Sequence, residues 1–228
     1  MTLPNRSLTI ILGSLLIFLL VNFRHELSAT YSLLLVFTLL GLILDPKVSI
    51  QVNTSRSNLL QDIIIGVMSL AVFYVAAYLV IQVLQTAALS LGLLSIVSLM
   101  AEVQPVFAGN TFLSFVVFGL LVPIIENLFF FGVLMEFIAD KSNTILTLKN
   151  YKAHLIYTIV AFLFMFIHIT AKGIPQSIGQ IINEPSLLVT FIFGYMSCMV
   201  VVISKKQLRP SIFMHQVANI LAIIKRGG

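Results

Sequence analysis

The chain has 228 residues, 59% hydrophobic and 9% charged, with a formal net charge of +5 and a mean hydropathy of +1.09. Soluble domains carry about 25% charged residues, so this composition excludes an ordinary soluble domain. The positive charge does not point to nucleic acid either, because the basic residues lie in short loops between apolar runs, the pattern that orients membrane proteins.

In chain order, apolar segments occupy 8–23, 29–44, 63–84, 111–138, 154–170, 185–204 and 210–224. Several approach the ~20 residues that cross a bilayer as helix. A transmembrane barrel would show alternating strands of ~10 residues, and LLLVFTLLGLIL at 33–44 does not alternate. The expected fold is therefore an all-α, polytopic transmembrane bundle of about seven spans in a single membrane domain, 1–228. The first segment follows Arg6 as a signal peptide would. It is read as a retained helix, because Asn22-Phe23-Arg24-His25-Glu26 is no small-residue cleavage site.

An eighth apolar stretch, 86–100, follows the polar step Gln85-Thr86. If it does not span and the N-terminus is cytoplasmic, nine basic residues fall inside: Arg6, Lys47, Arg56, Lys141, Lys149, Lys152, Lys205, Lys206 and Arg209. Four fall outside: Arg24, Lys172, Lys225 and Arg226. If it spans, the division is seven against six. The positive-inside rule favours the first arrangement, so 86–100 is expected to be interfacial or re-entrant.

Most prolines fall in loops or at segment ends, but Pro123 lies inside the fourth segment, three residues before Glu126. Proline there removes a backbone bond and kinks a helix. Such irregularity in a membrane needs other groups to satisfy the freed backbone. Glu126 itself stands in VPIIENLFFFGVL, near the middle of an apolar run. A charged carboxylate at that depth costs about 2.5–3.5 kcal/mol on insertion scales, and such residues usually face a bundle interior or water cavity and mark function. A protonated structural Glu is the plainer alternative. Glu126 is not isolated, however. His168 lies in FLFMFIHIT, and His215 lies in SIFMHQVANIL with Asn219 four residues on, so those two share one helix face.

A carboxylate and an imidazole are the standard proton-transfer groups. Glu126 could activate a water that His168 holds, and N–H donors from His215 and Asn219 could stabilise an oxyanion. Together they would suffice for amide hydrolysis without a serine or cysteine nucleophile. Two imidazoles and a carboxylate also make a zinc set, so a divalent metal stays open although no HExxH helix is present; no other cofactor is implied. The single cysteine, Cys198, reads as a small packing residue.

Three short motifs in this order resemble the CAAX-type intramembrane endopeptidase family (type II CAAX prenyl endopeptidases, also called CPBP or Abi). The family pattern is EExxxR, then FxxxH, then HxxxN or HxxxD on successive core helices. This chain reads E-N-L-F-F-F from Glu126 to Phe131, F-M-F-I-H from Phe164 to His168, and H-Q-V-A-N from His215 to Asn219. The resemblance covers 111–222, taken as the catalytic core. It implies proteolysis by a glutamate-activated water: Glu126 as base, His168 as water partner, His215 and Asn219 on the oxyanion side, and a peptide or membrane protein as substrate. It also implies a multi-pass protein of a bacterial plasma membrane acting in peptide processing or bacteriocin self-immunity. Two positions depart from the pattern: Asn127 replaces the second Glu and Phe131 the Arg. Asn127 keeps hydrogen-bonding capacity but cannot act as a base. A non-catalytic immunity or regulatory protein on the same fold is the alternative. A transporter ranks last, since no internal repeat is evident.

Spacing raises one geometrical demand. Glu126 and His168 lie about 13 and 14 residues from the inner ends of their segments, roughly 20 Å deep, whereas His215 is about 5 residues into its own, roughly 8 Å. The three meet if the helices tilt or if 205–210 is sunk in the bundle.

Overall fold

A computed structural model of the chain describes residues 59–90, 112, 115–169 and 185–227. Among these residues there is no strand. The long elements are α1 (Leu59–Ser90), a helical run over 115–141 here called α2, α3 (Tyr151–Ile169), α4 (Pro185–Ile203) and α5 (Arg209–Gly227). Helix is the expected outcome for such apolar sequence, because within a bilayer the backbone must satisfy its own hydrogen bonds. The expected segments 8–23 and 29–44, and most of the stretch 86–100, lie outside the described residues.

Leu59–Val83, Phe118–Lys141 and Tyr151–His168 are long and apolar enough to cross a membrane, and Leu187–Ile203 is a shorter apolar helix. The last helix, read from sequence as a seventh span, is not among them. It carries Arg209, His215, Gln216, Asn219, Lys225 and Arg226.

Helix α1 runs without a break through Gln85-Thr86, where the sequence suggested a boundary. The Thr86 hydroxyl donates to the Gln82 carbonyl at 2.8 Å, so the polar side chain is satisfied within the helix. Residues 62, 66, 70, 73, 77 and 81 form the buried stripe of α1, at the three- and four-residue spacing of one helix face. Its other faces expose Ile64, Met68, Val72, Val75 and Leu79. A helix apolar on all sides suits a lipid surround.

The run α2 is continuous but not uniformly α-helical. Phe115–Leu121 and Asn127–Leu134 are wound as π-helix, with α-helical Val122–Glu126 between them and α-helical Met135–Lys141 after. The junction residues Leu121, Glu126 and Leu134 all keep right-handed helical dihedrals. Pro123 therefore changes the winding without breaking the rod. π-Helical turns within α-helices are rare and frequent at functional sites. The Phe129-Phe130-Phe131 run is buried rather than lipid-facing.

Two turns set the angles between helices. After α2, Asn143 takes a left-handed conformation with φ 49°, and Asn150 accepts from the Lys152 backbone N–H at 3.0 Å, capping the start of α3. After α4, Lys205 and Lys206 both take positive φ, 55° and 67°. The Lys206 N–H then returns to the Val201 carbonyl at 2.7 Å, a six-residue closure that satisfies a helix end. Lys206 pairs with Glu136 of α2 at 3.0 Å, and Arg209 lies 3.8 Å from Asp62 of α1. Leu208 and Pro210 are buried. The 205–210 turn is thus drawn into the bundle, and this brings His215 to Glu126.

Helix α3 packs along α4 and α1 along α5, with small residues where backbones approach closely. A Cβ added at Gly66 would stand 2.7 Å from the Pro210 carbonyl oxygen and 3.1 Å from the Met214 nitrogen. Both are backbone atoms and cannot swing aside. Gly66→Ala is therefore expected to force α1 and α5 apart, at the roughly 1–3 kcal/mol typical of overpacking. At Gly119 the nearest atom, at 3.2 Å, is Ile220 Cγ1 of a flexible side chain, so Gly119→Ala is expected to cost less. Unfolding midpoints of the three proteins in detergent check this order; equal midpoints for Gly66→Ala and the parent would contradict it.

Candidate active site

Glu126 is the last residue of the short α-helical segment within α2, and its side chain is fully buried. Helices α3 and α5 each bring a histidine to it. His168 Nε2 lies 3.9 Å from Glu126 Oε1, and His215 Nε2 lies 3.5 Å from Glu126 Oε2. The two imidazoles thus flank opposite oxygens of one carboxylate. His168 is half-buried, whereas Glu126 and His215 are buried.

Hydrogen bonds fix the polarity of both rings. His168 Nδ1 is 2.8 Å from the Phe164 carbonyl, four residues back on the same helix. A carbonyl only accepts, so Nδ1 carries the hydrogen, and in the neutral ring Nε2 presents a lone pair toward Glu126. His215 is held from its other side: its Nδ1 lies 3.0 Å from Asn127 Nδ2. Asn127 is completely buried and also donates Nδ2–H to the Pro123 carbonyl at 2.7 Å. Its Oδ1 accepts from the Ser211 hydroxyl at 2.6 Å.

The site rests on aromatic rings. Phe164 lies 5.4 Å from both Phe130 and Phe131 and 4.6 Å from the His168 ring. Phe193 lies 4.8 Å from the His215 ring. Phe131, at the position of the family Arg, belongs to this apolar floor with no exposure. Such surroundings exclude water and strengthen every electrostatic contact above them.

Asn219 shares the helix face of His215 but not its contacts with the carboxylate. Its Nδ2 donates to the Phe118 carbonyl at 2.8 Å. One turn earlier, Gln216 Nε2 donates to the Leu120 carbonyl at 3.2 Å. From Ser211 opposite Asn127 to Asn219 opposite Phe118, α5 runs antiparallel to α2, pinned by side-chain amides.

The structure thus brings Glu126, His168, His215 and Asn127 together and sets Asn219 two turns away on the α2 backbone. Ser211 was not singled out from sequence, although it lies four residues before His215 and so on the same face. Among the described residues, no group of three His, Cys, Asp or Glu side chains is arranged to hold a metal ion.

Removing the Asn219 donor breaks a part-buried hydrogen bond between α5 and α2, a loss of about 0.5–1.5 kcal/mol for an ordinary intramolecular bond. Asn219→Leu should lower the unfolding midpoint in detergent, and Asn219→Gln should do so less if its longer amide still reaches. An unchanged midpoint in Asn219→Leu would show that this bond does not support α2.

Comparison with known proteins bears on what this site is for. No curated protein and no solved structure matches the chain. The family described as type II CAAX prenyl endopeptidase, Rce1-like, matches residues 108–221, a region that contains Glu126, Asn127, His168, Ser211, His215 and Asn219. This match covers half of the chain and spans every helix that contributes to the cluster around Glu126, so the chain belongs to the Rce1-like family of type II CAAX prenyl endopeptidases.

Proposed function

We propose that the chain is an intramembrane endopeptidase that hydrolyses peptide bonds with a water activated by Glu126. The observation that carries this reading is the buried Glu126 carboxylate, with His168 Nε2 at 3.9 Å from one oxygen and His215 Nε2 at 3.5 Å from the other. His168 Nε2 and the carboxylate both accept. Their separation is too long for a direct hydrogen bond and near the roughly 4–4.5 Å that one water spans when it donates to two acceptors. A water so placed gives one hydrogen to each and turns its lone pairs outward, toward an incoming carbonyl.

As that water oxygen bonds to the peptide carbon, Glu126 takes its proton. The carbonyl oxygen becomes an oxyanion, which the N–H of His215 stabilises. Collapse breaks the carbon–nitrogen bond, and the proton passes from Glu126 to the leaving amine. The aromatic floor excludes bulk water from this exchange. Asn219 acts at one remove in this scheme, by holding the backbone of α2. The substrate is a peptide or membrane protein that reaches the site within the bilayer, and the setting is a bacterial plasma membrane. The role is peptide processing or self-immunity to a bacteriocin.

One observation favours a second reading, a non-catalytic immunity or regulatory protein. Asn127 and Phe131 replace the charged Glu and Arg of the family pattern, and Phe131 is packed into the apolar floor.

Glu126→Gln separates the two readings, because glutamine keeps size and hydrogen bonding but accepts no proton. With purified protein in liposomes and a library of membrane peptides, cleavage should fall at least 10²-fold in Glu126→Gln, as for a lost general base. His168→Ala and His215→Ala should fall similarly. Cleavage by Glu126→Gln at the parent rate would contradict hydrolysis at this site.

A further inference from the structure

Asn127 is a departure from the family pattern, yet its amide is the most fully bonded side chain in the cluster. The Pro123 carbonyl can only accept, so the atom 2.7 Å from it must be the amide nitrogen. With the amide so oriented, the Ser211 hydroxyl at 2.6 Å donates its hydrogen to Oδ1. With one Nδ2 hydrogen on Pro123, the second is available to His215 Nδ1 at 3.0 Å. His215 Nδ1 is then an acceptor. A neutral imidazole carries one hydrogen, and here it must lie on Nε2, the atom 3.5 Å from Glu126.

We infer that Asn127 and Ser211 are positioning residues that fix His215 as the neutral Nε2–H imidazole, with its donor turned toward Glu126 and the reacting carbonyl. The residue type decides this outcome. A carboxylate at 127 could only accept, and would draw a hydrogen onto Nδ1. In a neutral ring that would leave Nε2 as a lone pair facing another acceptor. The amide makes the opposite choice. His168 has the complementary polarity, because its Nδ1 hydrogen is committed to the Phe164 carbonyl at 2.8 Å. Glu126 therefore stands between one ring that accepts and one that donates. The use of these two polarities in hydrolysis rests on the proposed function; the tautomer of His215 does not.

The test reads the protons directly. The full chain is prepared with ¹⁵N-labelled histidine in lipid nanodiscs, and long-range ¹H–¹⁵N spectra are recorded near neutral pH. The His215→Gln spectrum identifies the His215 signals among those of the four histidines. In the parent protein, His215 should show a protonated Nε2 and an unprotonated Nδ1. Asn127→Asp should lose that signature, with a hydrogen appearing on Nδ1. Ser211→Ala, a smaller change, should give a mixture of the two forms. A parent His215 protonated on Nδ1 overturns the inference even if neither variant folds. An Nε2–H form unchanged in Asn127→Asp overturns the role of Asn127, and one unchanged in Ser211→Ala overturns that of Ser211. None of these results depends on peptide cleavage, so failure of the hydrolase reading would be seen separately.

Discussion

A buried amide, that of Asn127, is the constraint on which this structure turns. Leaving its donors or acceptor unmatched in an apolar interior would cost about 1–3 kcal/mol for each group. Three partners prevent that: the Pro123 carbonyl one turn back on the same helix, and Ser211 and His215 on α5. Satisfying one side chain therefore sets the register of two helices. Sliding α5 by a turn would separate Asn127 from both Ser211 and His215 at once. Further along the pair, Gln216 and Asn219 repeat the device on the Leu120 and Phe118 carbonyls. Apolar packing alone would not choose between neighbouring registers, because lipid tails are as apolar as the side chains it would bury.

The same contacts explain how a proline and a carboxylate coexist in one apolar helix. Pro123 takes a donor from α2, and the π-helical winding on either side redistributes the remaining bonds. Asn219 ties the Phe118 carbonyl of α2 to α5. The rod stays continuous, and Glu126 is presented beside His168 and His215 over a floor of phenylalanines. At the end of the bundle, the Lys206–Glu136 pair ties the 205–210 turn to α2, and Arg209 reaches toward Asp62 of α1. That turn must enter the bundle if His215 is to stand level with Glu126, and buried Leu208 and Pro210 hold it there.

Much of this was legible in the sequence. Glu126, His168 and His215 stand out because charge and imidazole are rare in apolar helices, and their motifs indicate which helices must meet. The family assignment follows from the same motifs. The sequence was less informative about what fixes each residue. Ser211 follows Arg209-Pro210 and reads as an ordinary helix-start serine; only the packing of α5 on α2 turns it toward Asn127. Asn219 reads as a partner of His215, since i and i+4 share a face, but antiparallel packing sends the two to points two turns apart on α2. The polar step Gln85-Thr86 suggested a boundary because local polarity was visible and the bond from Thr86 to Gln82 was not. The π-helical winding of α2 has no simple sequence signal beyond Pro123.

The central claim, that a polar contact between α2 and α5 sets the geometry around Glu126, is tested most directly by a double-mutant cycle on the pair that holds Asn127 in place. Unfolding free energies would be measured in mixed micelles for the parent, Asn127→Ala, Ser211→Ala and the double variant. Residues joined in one buried network show coupling of about 0.5–3 kcal/mol. The account predicts coupling in that range, with the double variant less destabilised than the two single changes added together. Strict additivity would mean that Ser211 and Asn127 do not act on each other, and would contradict an alignment of α5 on α2 that depends on them.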